Sequence, residues 1–400
     1  MTESAEPPAP PVSAFTAAAV GTIIGFGGTV ALVVQAGQTM GASPVQIVSM
    51  VTALCLGIGL PGLVLSWRLK IPVILAWSTP GAALLAASTL NHSWSTAVGA
   101  FVIAGAMMMV VGLIPVLGRL AARIPAAVAS AMLAGVLLPF VIKLFLVFPT
   151  DLALAAGLVA VFLIARRLAP TWALPLVLVG AFAALAVRGQ IALPPGTGVF
   201  GTLSPVAPHF ELKAAVSLAL PLFMVTLVSQ NLPGLVVLRT AGYAPPAGPL
   251  LLSTGAATVL LAPFGAYGIN LAAIVAAICT GPEAHPDPQR RWIVGVIYGG
   301  LYLVVALLAA PLAGLFIAMP HGTLALITGL ALVGPLLGAL GGMLAEPKDR
   351  EAAVLTFAAT ASGLALFGIG SAFWGLATGF VALAVGRWVK PPQPRVRPAP

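Results

Sequence analysis

The sequence predicts an all-α polytopic membrane protein: fourteen transmembrane segments in a 7+7 inverted repeat, with short extended stretches in spans 3 and 10. Three observations predict it. Of 400 residues, 60% are hydrophobic and only 7% charged, whereas a soluble domain carries about 25% charged residues. The basic residues sort to one side of the apolar runs. Two segments, one in each half of the chain, repeat one another.

Composition comes first. A chain this apolar cannot cover its own surface with water-compatible groups, so its outer face meets lipid. That excludes a soluble enzyme, a disordered protein and a nucleic-acid-binding domain, despite the net charge of +9. The 44 Gly and 36 Pro fit a bilayer, where both are tolerated and mark broken helices and close packing. Cys55 and Cys279 lie in apolar runs and form neither a disulfide framework nor a zinc-binding spacing, so no metal or cofactor is expected. Residues 1–12 lack the basic start of a cleaved signal peptide, so they read as a disordered tail ahead of a retained first span. Residues 390–400 are Pro-rich and basic and read as a second tail.

The apolar stretches run over 13–36, 45–67, 71–88, 95–118, 124–147, 151–166 and 171–187, then, after a polar linker at 191–212, over 213–237, 248–262, 264–280, 292–317, 322–344, 351–368 and 371–389. The 292–317 run is long enough to cross with tilt. With the N-terminus in the cytoplasm, fifteen Lys and Arg fall inside and three outside, namely Lys143, Arg188 and Lys213. Miscounting one span mid-chain would scramble that bias, so the rule supports fourteen crossings with both termini cytoplasmic.

Seven spans per half reverse the orientation of the second half. Residues 76–87 (AWSTPGAALLAA) and 266–277 (AYGINLAAIVAA) align without gaps in the third span of each half. A weaker echo joins ALVVQAG (31–37) to TLVSQNL (226–232).

These third spans are short. IPVILAW (71–77) suits extended backbone, and Ser78-Thr79-Pro80 suits a helix start. In the second half PFGAYGI can be extended, with Asn270 as the cap of the half-helix after it. Extended backbone in lipid would leave amides unpaired, so the two stretches must be buried and can pair with each other. Both half-helices then begin near the midplane, and their free N–H groups form an anion site that needs no Lys or Arg. Candidate ligand contacts are Trp77, Ser78, Thr79, Gln230, Asn231, Tyr267, Gly268 and Asn270, with Trp77 and Tyr267 as flat walls. Ser78, Thr79 and Asn270 could instead only cap broken helices, and Gln230 and Asn231 could bind neighbouring spans. Glu283, His285 and Asp287, in a cytoplasmic loop, are candidates for proton coupling or gating; the plainer reading is a loop fixed by Arg290 or Arg291.

The segments AWSTPGAALLA, SQNLPGLVVLRTAGY, LAPFGAYGINLAAIVAAICTGPEAHPDP and FWGLATG resemble the benzoate:proton symporter family of bacterial inner membranes, over about residues 13–389. That family is similar in fold to the uracil:proton symporter and the sulfate-transporter superfamily. The resemblance implies a core domain (13–120, spans 1–4, and 213–318, spans 8–11) moving against a gate domain (121–190, spans 5–7, and 319–389, spans 12–14). Substrate would bind between spans 3 and 10, helped by spans 1 and 8. Uracil carriers place glutamates where this chain aligns Gln230 and Ile269, and their absence suits an anionic substrate.

The implied function is uptake of benzoate or a similar aromatic carboxylate, with a proton, across the inner membrane by alternating access. The implied partners are that carboxylate, the proton and the bilayer, and the reading admits a homodimer. An exchanger or channel for small anions on the same fold is the alternative. No catalytic constellation stands inside the spans, so an enzyme is not expected.

Overall fold

The computed structural model describes residues 11–88, 92–114, 116, 125–191 and 198–388. Most of both expected tails, part of the 191–212 linker, and Arg119 and Arg123 lie outside the described residues.

The regular elements among the described residues are helices, apart from one two-stranded ribbon and an isolated bridge between Leu366 and Ile369. Among the described residues nine helices are long and apolar enough to cross a membrane: Val12–Thr39, Pro44–Leu69, Trp94–Leu113, Ala126–Phe145, Pro170–Val187, Leu212–Thr240, Ala247–Phe264, Pro288–Leu307 and His321–Leu344. The other expected crossings are the two interrupted segments and the helices Leu152–Leu168, Arg350–Ala361 and Ser371–Trp388.

Several expected spans are not single rods. The 292–317 run breaks at Leu308 into Trp292–Leu307 and Ala309–Ile317. The 351–368 run is helical only to Ala361. Its 12 helical residues reach ~18 Å, short of the ~30 Å hydrocarbon core. Gly363 (φ 69°) and Gly368 (φ 70°) turn the chain there, in a left-handed conformation that favours glycine, before the helix resumes at Ser371. The first span contains a π-helical turn, Ile23–Gly27, and restarts at Val30. The 213–237 run carries two such turns, Ala215–Ala219 and Leu227–Asn231.

The helices pack in two groups. Pro44–Leu69 lies along Trp292–Leu307, and Trp94–Leu113 along Ala247–Leu261. Gly59 and Gly299 face each other, and a Cβ on either would come within 2.8 Å of the other's carbonyl oxygen, so only glycines allow that approach. In the second group Ala126–Phe145 packs on His321–Leu344 and Arg350–Ala361, and Leu152–Leu168 on Ala173–Val187.

The ribbon sits within the first group. Strand β1 (Leu75–Trp77) pairs antiparallel with β2 (Ile269–Leu271), in the register Leu75–Leu271, Ala76–Asn270 and Trp77–Ile269. Buried amides must find partners. The ladder continues through Ser78 N to Gly268 O (3.1 Å) and Ala272 N to Ile74 O (2.9 Å). Outward-facing groups are met by side chains from neighbouring helices. Ile269 N donates to Thr258 Oγ1 (3.0 Å), Leu271 N to Asn231 Oδ1 (3.1 Å), and Tyr298 OH to Leu75 O (3.1 Å).

The ribbon also corrects the letter repeat. Structurally, β1 begins at Leu75 and β2 at Ile269. The ungapped alignment sets Leu75 against Gly265, four residues out of register. The cause is an extra turn, Ala262–Phe264 closed by Gly265 (φ 99°), ahead of the second strand.

Candidate functional site

A cavity of about 740 Å³ lies between the two helix groups. Its first wall is the centre of the first group: the π turn at Ile24, Gly25 and Gly28; Ala76, Trp77, Thr79 and Pro80; the second π turn at Val228, Ser229 and Gln230; and the start of the second half-helix at Ala272–Val275. Its second wall comes from the other group. Ala126, Ser130, Leu133 and Leu137 recur along one face of their helix, covering ~16 Å of its length. Phe162, Arg166, Leu330, Gly334 and Gly338 complete it.

Local sequence explains the first half-helix, Thr79–Ala86. Ser78 is its cap and accepts from Gly81 N (3.0 Å), and Pro80 occupies the first turn, where its missing N–H costs nothing. The second half-helix, Ile274–Thr280, follows Ala273 and has no side-chain cap. The N–H groups of Ile274 and Val275 precede any intrahelical partner and find no other acceptor among the described residues.

The structure divides the candidates by position. Trp77, Thr79 and Gln230 line the cavity; Ser78, Asn231, Tyr267, Gly268 and Asn270 do not. Trp77 is 2% exposed, and its Nε1 donates to Thr29 Oγ1 (2.8 Å). Its ring is steadied by Phe26 (5.6 Å between centroids) and Tyr302 (6.3 Å). The Thr79 hydroxyl, the Ser229 hydroxyl and the Gln230 amide have no protein partner among the described residues.

The others hold the ribbon. Ser78 receives the Thr226 hydroxyl (2.9 Å) besides capping. Asn231, fully buried, bridges Leu271 N and Thr226 O. Asn270 does not cap the half-helix: it lies in β2, fully buried, and its amide donates to Leu271 O (3.3 Å). Tyr267 packs edge-on against Phe101 (6.1 Å) behind the ribbon.

Glu283, His285 and Asp287 stand apart from the cavity. Asp287 pairs with Arg290 (3.8 Å) and accepts from Gln289 N; His285 Nδ1 accepts from Asp287 N. Buried Arg291 donates to the carbonyls of His285 and Thr280. These bonds fix a turn.

Sequence reading missed Thr29, Ser229 and Arg166. The glycines of GFGGT (25–29) were a usable signal for a break in the first span. Ser229 is adjacent to Gln230 and shares its π turn. Arg166 carried no signal separating it from Arg167. It lines the same cavity as the half-helix starts, where the expected anion site needs no Lys or Arg.

Residues 9–385 match the family model for the BenE benzoate membrane transport protein. The chain is 37% identical over 365 residues to the inner membrane protein YdcO of Escherichia coli, covering 91% of this chain and 93% of that one. It is 32% identical over 371 residues to the benzoate membrane transport protein of Acinetobacter baylyi, covering 93% and 94%. Among solved structures it resembles the transmembrane domain of the cyanobacterial bicarbonate transporter BicA (TM-score 0.60, 17% identity, 94% and 95% covered). It also resembles the murine Slc26a9 anion transporter in its inward-facing state (TM-score 0.62, 12% identity, 95% and 68% covered). At these identities the likeness concerns the fold. The chain belongs to the benzoate membrane transport protein family, and it is a multi-pass membrane transporter, not an enzyme.

Proposed function

We propose that the protein imports benzoate or a similar aromatic carboxylate across the bacterial inner membrane, together with a proton, by alternating access. The reading includes fourteen crossings in a 7+7 inverted repeat, with both termini in the cytoplasm. The first helix group is the core (13–120 and 213–318), and the second is the gate that moves against it (121–190 and 319–389).

One observation carries the reading. Three unpartnered polar side chains, Thr79, Ser229 and Gln230, meet the uncapped start of the second half-helix beside Trp77, in a cavity on the seam between the groups. Hydroxyl, amide and helix N–H donors suit a carboxylate, and the indole suits an aromatic body. Among the described residues no carboxylate lines the cavity to repel an anion.

Proton coupling rests on energetics. A carboxyl with a pKa of about 4 is ionised at neutral pH. Moving that charge inward against the potential costs about 2.3 kcal/mol per 100 mV, and a co-transported proton removes the cost. Among the described residues no carboxylate or histidine lines the cavity, so the proton travels elsewhere or on the substrate's own carboxyl.

Labelled benzoate uptake into proteoliposomes tests this. Uptake should rise with an inward proton gradient and collapse with a protonophore. Uptake indifferent to both would remove the coupling. Chloride, sulfate or bicarbonate flux that benzoate does not compete with would replace the reading with anion exchange or a channel.

A further inference from the structure

Arg166 is the charged residue in the cavity wall. It sits in the last turn of Leu152–Leu168, next to Arg167. Arg167 is exposed, whereas Arg166 is half-buried and turned into the cavity. Its guanidinium lies 5.5 Å over the ring of Phe162, one turn earlier on the same helix and also in the wall. Opposite stands Gly334, where even an added Cβ would stay 3.9 Å from the Arg166 Nη1.

The other arginines whose side chains the structure describes are either spoken for or outside. Arg188 pairs with Asp151, Arg290 with Asp287, and Arg291 and Arg350 bond backbone carbonyls. Arg68, Arg167 and Arg239 are exposed. Arg166 alone among them is half-buried with neither an acidic nor a hydrogen-bonding partner among the described residues. A topological anchor needs only to reach water, as Arg167 does. A guanidinium held over an aromatic ring inside a cavity without acids is an empty fork for a carboxylate.

We propose that Arg166 and Phe162 form a second anion subsite at the inner mouth of the cavity, which takes the carboxylate of an aromatic substrate as it leaves Thr79 and Gln230 for the cytoplasm. This rests on the benzoate reading above. The ligand class is monocarboxylates with a flat apolar body: the fork, backed by the buried Phe162, takes the carboxylate, and the apolar cavity wall, with Leu133 and Leu330, takes the ring. The subsite belongs to one face of the membrane only, because Arg166 lies in the last turn of its helix, which ends at Leu168.

The test compares the two faces with labelled benzoate, in right-side-out and inverted vesicles from cells that lack benzoate carriers of their own. Wild-type vesicles come first: no benzoate transport there sinks the reading itself, apart from the subsite. With transport established, Arg166→Gln should raise the half-saturating concentration about tenfold at the cytoplasmic face, the size of one lost charged hydrogen bond. The value at the outer face should not change. Arg166→Lys, which keeps the charge, should recover part of the loss. An Arg166→Gln protein that saturates like wild type at the cytoplasmic face overturns the proposal. An equal rise at both faces also overturns it, since that marks a structural role.

Discussion

The seam between the two helix groups differs at its two ends. At the end bearing Arg166 and Arg167 it holds the 740 Å³ cavity, with both half-helix starts in its wall. At the end bearing Lys143 and Lys213 it narrows to about 80 Å³, closed by Leu84, Val136, Pro139 and Leu218 among others. Beside that end, polar contacts brace the first group and its linker: His92 Nε2 lies 3.3 Å from Ser217 Oγ, His92 Nδ1 lies 4.0 Å from Glu211, and Thr96 Oγ1 lies 3.3 Å from His209 Nδ1. A seam packed at one end and open at the other is what a carrier needs in one of its two states. The polar groups that would hold substrate lie where the open part stops.

Thiol labelling gives the largest contrast. Ser130→Cys, in the open part, should react with a membrane-impermeant maleimide and be protected by benzoate. Ser217→Cys, 4% exposed in the closed part, should stay unreacted. The natural Cys55 and Cys279 are fully buried and leave a low background. Equal labelling of the two introduced thiols would break the comparison.

Binding comes next. Gln230→Leu and Thr79→Val should each weaken benzoate about tenfold, the loss of one hydrogen bond to a charged group, read as the half-saturating concentration for uptake. Asn270→Ala should leave that constant unchanged and lower the unfolding temperature, because Asn270 lies inside the ribbon and off the cavity. A binding defect in Asn270→Ala would move the site behind the ribbon.

The ribbon itself should yield a smaller, purely structural effect. Asn231→Leu leaves the Leu271 amide buried and unmet, a loss of about 1–3 kcal/mol. Ser78→Ala removes a cap, at about 1 kcal/mol, and the acceptor of the buried Thr226 hydroxyl. Thermal unfolding in detergent should therefore place both variants below wild type. A wild-type unfolding temperature in either would mean that its strand does not depend on that side-chain brace.

The nature of those braces also explains what was legible in the sequence. Hydropathy located the nine long apolar helices because lipid acts on every residue of a helix. The first interruption was legible because its causes are local: Ser78 caps, and Pro80 starts the helix. The second was misplaced because its causes are remote. β2 is held by Thr258, Asn231 and Ile74, none of them adjacent in sequence. Asn270 looked like a cap and is a strand residue; Tyr267 looked like a wall and faces Phe101. Arg166 and Arg167 are identical letters one position apart, and only the rotation of their helix sends one into the cavity and the other out.

The smallest predicted effect concerns the first group beside the closed end. His92 lies outside the spans, just before Trp94, with its side chain largely buried. Burial disfavours its charged form and outweighs the attraction of Glu211, with Lys213 adding repulsion, so its pKa is lowered from the ordinary value of 6.5. In the window between the lowered and the ordinary value, the unfolded chain binds more protons than the folded one, and stability rises with pH. The contribution is therefore complete above a pH of about 6.5 and is lost as pH falls through the lowered value. Asp151 shifts downward too, chiefly through its bond to Arg188, but its loss begins only below the carboxylate value of about 3.9, so the two windows separate. The unfolding temperature should stay flat above a pH of about 7 and decline as pH falls below it, and His92→Gln should flatten that decline. An unchanged slope in His92→Gln would show that acid does not loosen the first group through this residue.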